Sequence, residues 1–159
     1  MAPNRVEALA SALYGVVLAT AITAAYSESP ELSDLQIAYA VLATAIVFWL
    51  AHVYVGALAR GILRGERSGW AAAKQELVEE ATIVAGALPI AAALCLAPIG
   101  LLSEQQAETA ALAIGIGLLT LGGLAAGLRE DAGLLRITVL TAISLGLGLA
   151  IVGLKAAAH

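Results

Sequence analysis

Five long apolar stretches separated by short polar ones organise this chain. They run over about 8–26, 35–58, 81–102, 105–127 and 136–154. A helix needs about 20 mostly apolar residues to cross ~30 Å of hydrocarbon, and each stretch comes close to that length. Each is therefore expected to be a transmembrane helix. The short polar breaks carry helix-start signals. Ser33 with Gln36, and Ser103 with Gln106, have the spacing of a capping box, in which the two side chains satisfy orphan backbone amides. Pro89 and Pro98 fall inside the third stretch and predict kinks, since each removes one backbone donor. Alternation of the kind that marks a membrane barrel is absent. The expected fold is all-α: one integral membrane domain over 1–159, a helical bundle with five transmembrane helices.

The polar segments differ in sign. Ser27–Asp34 is acidic, and Glu104 and Glu108 open the fourth stretch. Residues 59–80 carry Arg60, Arg64, Arg67 and Lys74 beside Glu66, Glu76, Glu79 and Glu80. Gly65 and Gly69 predict a helix break there, Ser68 a new cap, and Trp70 an indole at headgroup depth. Seven of the eight basic residues fall at the N-terminus or in the second and fourth loops. By the positive-inside rule those segments face the cytoplasm. The expected location is the bacterial inner (plasma) membrane, multi-pass, with the N-terminus cytoplasmic and the C-terminus outside. Met1–Glu7 followed by an apolar run also has the outline of a signal peptide, but the run is too long for one and predicts an uncleaved helix.

Composition sharpens this picture. The chain is 61% hydrophobic and only 13% charged, where soluble domains carry about 25% charged residues. Lipid must therefore solvate much of it. Aromatics are scarce at 4%, and the 16 glycines suit helices that pack closely through small residues. The net charge of −4, with no basic cluster, excludes a nucleic-acid partner. Cys95 is the single cysteine, so it gives no intrachain disulfide and no cysteine-based metal site. Signatures of hydrolases, nucleotide-binding loops and zinc proteases are missing. The expectation is no enzyme, no catalytic residues, no metal and no cofactor.

The candidate chemistry centres on His52 in the second span, with Trp49 and Tyr54 close by. An ionisable residue in a span marks a functional site by default. Two readings stand: a pore or pH-sensing residue, or a neutral histidine bonding a neighbouring helix. Glu79 and Glu80 begin the third span on the same side and pair with His52 if they turn inward. In the first span Ser11, Gly15, Ala19 and Thr23 recur every four residues, a stripe that lets another backbone approach. Thr20 and Thr23 alternatively face a narrow water path. Gly123 and Gly127 form a GxxxG, and Gly146, Gly148 and Gly153 follow in the fifth span. These glycines predict helix packing, tightest between the fourth and fifth spans.

Arg5-Val6-Glu7-Ala8-Leu9 at the first span, and Trp49-Leu50-Ala51-His52 in the second, resemble the lysosomal-type potassium channels of prokaryotes. In that family an arginine motif opens the first helix, a Trp-x-x-His follows, and the first helix lines an apolar constriction. The resemblance implies a helical oligomer around a pore, with Arg5 as the motif arginine and Val16, Thr20 and Thr23 at the constriction. Leu9, Ala10 and Ser11 stand where the family has Phe, Ser and Asp, and its repeat has six spans. The expected function is an oligomeric channel or transporter for a small cation, with the bilayer and further copies of the chain as partners. The alternative is a non-transporting membrane scaffold or partner subunit.

Overall fold

The computed structural model describes residues 5–27, 29, 31–64, 69–129 and 134–157. Among them there are six helices and no strand: α1 Arg5–Tyr26, α2 Asp34–Arg64, α3 Gly69–Glu79, α4 Thr82–Leu94, α5 Glu104–Arg129 and α6 Leu134–Ala157. Four stretches are long and apolar enough to cross a membrane: Glu7–Tyr26, Asp34–Ala59, Glu76–Leu94 and Glu104–Leu128. The fifth expected span lies in α6, whose described apolar stretch, Leu135–Ile151, is shorter.

Three spans begin and end close to where hydropathy puts them, because local chemistry fixes their starts. The Ser33 amide donates to Gln36 Oε1 at 2.9 Å. At α5 the Ser103 amide donates to Gln106 Oε1 at 3.0 Å, and Ser103 Oγ accepts from the Gln106 amide at 3.3 Å. The box at α5 is complete; at α2 only the Gln36 half forms, since Ser33 Oγ donates to Gln36 Oε1 at 3.2 Å and the Gln36 amide bonds Ser33 O. Gly69 opens α3 as expected, while Gly65 and Ser68 lie outside the described residues, as does the side chain of Trp70.

The third span is displaced from its expected position, 81–102. It covers Glu76–Leu94 and consists of the end of α3, a break at Glu80–Ala81, and α4. At the break the Ile83 amide bonds Glu80 O, a three-residue step, and Thr82 Oγ1 donates to Glu79 O. Pro89 is inside α4, but Pro98 lies in the turn that follows. A proline disfavours helical conformation in the residue before it, and the chain leaves the helix at Leu94. The amides of Leu101 and Leu102 then both bond Leu96 O, with Gly100 at φ 77° in the left-handed region. Glycine alone adopts that region at no steric cost.

Small residues set the helix spacing. α1 crosses α4 with backbones in contact: a Cβ on Gly15 would meet Ile83 O, and one on Gly86 would meet Ala12 O. Val16, Ala19, Ile37, Val41, Ala87, Ile90, Leu94 and Ala111 fill the core around this crossing. α5 with α6 is the most extensive pairing in the chain. There a Cβ on Gly123 would meet Ser144 Oγ and Leu140 O, and one on Gly127 would lie 2.9 Å from Ile137 Cα. Gly148 packs on Ile116, whereas a Cβ on Gly146 or Gly153 would meet nothing among the described residues. Among those residues the two glycines are therefore not packing positions. Large apolar side chains such as Tyr39, Val47, Ile143 and Leu149 are exposed around the outside, as suits a surface solvated by lipid.

Candidate functional site

One end of the bundle opens into a cavity of about 540 Å³ walled by three helices. Helical spacing puts each contribution on one face. α1 supplies Glu7, Ala8 and Ser11, and α2 supplies Phe48, Ala51, His52, Val55 and Gly56. The end of α3 and the break supply Glu76, Glu79 and Glu80. Positions i, i+3 and i+4 are neighbours on a helix surface, so all three glutamates point the same way.

Glu76 is 6% exposed, a buried carboxylate inside the span. It lies over Gly56, the one residue of α2 there without a side chain: a Cβ at 56 would be 2.5 Å from the Glu76 carboxylate carbon. Glu80 Oε2 accepts the Ser11 hydroxyl at 2.8 Å, which ties the break to α1. The Trp49 indole donates to Leu77 O at 3.1 Å and ties α2 to α3 beside the cavity.

His52 is half-buried in the cavity wall. Its Nδ1 lies 3.1 Å from Phe48 O, one helical turn back. With the proton on Nδ1 the ring donates there, leaving Nε2 as an acceptor. The ring packs on Phe48, with centroids 4.5 Å apart, and on Tyr14 of α1 at 6.0 Å. Seven residues separate His52 from Ala59, about 10 Å by helical rise.

Of the expected candidates, the structure brings His52, Glu79, Glu80 and Ser11 together and sets Trp49 beside them. Tyr54 points away and is 68% exposed. Val16, Thr20 and Thr23 are in the packed interior, not at the cavity. Both threonine hydroxyls return to their own helix, Thr20 to Val16 O at 2.7 Å and Thr23 to Ala19 O at 2.9 Å. Thr20 also fills the space over Gly115 of α5. Gly15 serves the α1–α4 crossing, and Gly123 and Gly127 the α5–α6 pairing. Arg5 begins α1, but its side chain lies outside the described residues.

Glu76, Gly56, Glu7 and Phe48 were not singled out from sequence. A signal existed for three of them. Phe48, His52 and Gly56 follow one another at four-residue steps, and Glu76 shares the face of Glu79 and Glu80. Among the described residues no group of three or more His, Cys, Asp or Glu is arranged to hold a metal ion. No protein-family model matches the chain, and neither does any curated protein or solved structure.

Proposed function

We propose that this chain is a multi-pass protein of the bacterial inner membrane, N-terminus cytoplasmic, that conducts or transports a small cation. The cavity around His52 is its cytoplasmic vestibule. The observation that supports this reading is the cavity's lining: four glutamates from two parts of the chain, a histidine and a serine, with no lysine or arginine among the described lining residues. Carboxylates in a cleft with low-dielectric walls raise the local concentration of cations. His52 shares the cavity with Glu7 of α1 and with Glu76, Glu79 and Glu80, and Tyr14 packs against its ring. The likeness of the Arg5 and Trp49–His52 segments to potassium channels points to the same class of substrate.

One observation favours the competing reading, a non-transporting membrane subunit. Beyond Ser11, α1 and α4 cross with their backbones in contact, and in the transport reading a route for ions runs between copies of the chain. Purified protein in liposomes separates the readings. Flux of K⁺ or Na⁺, reduced by Glu80→Gln, supports transport. His52→Gln keeps hydrogen-bonding capacity without gaining a proton, so the pH dependence of flux is lost in that variant. Absence of flux at every pH leaves the subunit reading in its place.

A further inference from the structure

The other end of the bundle holds a second acidic site, unrelated to the vestibule. α2 starts there at Asp34 and α5 at Glu104. The turn after α4, bent at Gly100, carries the chain to the start of α5. Acidic side chains at helix starts usually cap orphan amides or complement the dipole. Here Gln36 already accepts the Ser33 amide at α2, and Ser103 with Gln106 caps α5.

Asp34 is nevertheless 3% exposed, and its Oδ2 is buried with no hydrogen-bond partner among the described residues. A buried ionised oxygen without a partner is among the costlier arrangements a fold can hold. Glu104 acts on Asp34 as a nearby like charge. The two residues line one cavity of about 350 Å³ together with Ser33 and Ser103, its other walls being the apolar residues Leu35, Ala97, Pro98 and Leu102. No lining residue is basic. The site therefore gathers two carboxylates and two hydroxyls, and lacks any positive group among the described residues to offset them.

We propose that Asp34 and Glu104 bind a hard divalent cation of the Ca²⁺ type. Two carboxylates match its charge, and hydroxyl, carbonyl and water oxygens complete the six to eight ligands such an ion takes. The cavity has room for the ion together with the waters it retains.

Equilibrium binding of ⁴⁵Ca²⁺ to the purified full chain in detergent tests this. The expected result is one saturable Ca²⁺ per chain, with affinity reduced at least tenfold by Glu104→Gln. That side chain is exposed, so the variant folds whatever its role. Asp34→Asn, which keeps the shape and removes the charge, should do the same. Three results overturn the proposal: no saturable binding to the wild-type chain, binding unchanged in Glu104→Gln, or binding lost in Glu80→Gln instead, which moves the ion to the vestibule. Stabilisation by acid and by Asp34→Asn without Ca²⁺ binding also overturns it, since a proton then neutralises the site.

Discussion

Replacing Gly56 by alanine probes how closely the Glu76 carboxylate is held in the vestibule. A Cβ at 56 would lie 2.5 Å from Glu76 Cδ and Oε1 and 2.8 Å from Oε2, where ordinary contact begins at 3.4 Å. The carboxylate has to retreat by the difference, about 0.9 Å. It is 6% exposed, so its other walls resist. Overpacking of this kind costs ~1–3 kcal/mol, while alanine in place of glycine within a helix recovers ~0.5–1 kcal/mol. The net expectation is a loss of up to ~2.5 kcal/mol. Glu76→Asp withdraws the carboxylate by up to one carbon–carbon bond, about 1.5 Å, which is more than the retreat required. In that background Gly56→Ala should therefore stabilise, by ~0.5–1 kcal/mol. A double-mutant cycle by reversible unfolding in mixed micelles reads the change of sign directly. If the alanine has the same effect in both backgrounds, within ~0.5 kcal/mol, the carboxylate is not packed on Gly56 and the geometry of the vestibule is wrong.

Gly123→Leu should destabilise the chain by more than a surface substitution does, ~1–3 kcal/mol, because its side chain enters the space of Ser144 and Leu140 on α6; unchanged unfolding would remove Gly123 from the helix contact. Cysteines placed at Ser29 and Gln106 should react with an impermeant maleimide applied to intact cells, and one at the exposed Lys74 should not; labelling at Lys74 alone would invert the topology.

The starts of α2 and α5 were legible because a capping box involves residues three apart and nothing else. The first, second and fourth spans were legible because polar residues bound them on both sides. The third was not. Apolar composition continues from Ala81 through Leu102 without interruption, so hydropathy gave no place to stop, and Pro98 read as a kink within the helix when it lies beyond its end. The same shift obscured Glu76. With the span begun at 81, Glu79 and Glu80 stood at its start and Glu76 in the segment before it; with the span begun at Glu76 all three belong to it. Burial of Glu76 depends on Gly56, twenty residues earlier, and no local pattern states which helix face a glycine will meet. Thr20 and Thr23 illustrate the opposite limit. A small polar residue on a stripe suits a water path and a close helix contact equally; for Thr20 the position of Gly115 decides between them, and for Thr23 its burial in the core does.

The crossing of α1 and α4 also constrains how this chain can vary over generations. Every single-nucleotide change of a glycine codon that still encodes an amino acid of another kind introduces a Cβ. At Gly15 that atom collides with the backbone of Ile83, and at Gly86 with the backbone of Ala12. Neither collision involves a flexible side chain that a second substitution could trim. Drift at these two positions is therefore closed in every direction at once, while the exposed leucines of α6 can exchange freely for other apolar residues.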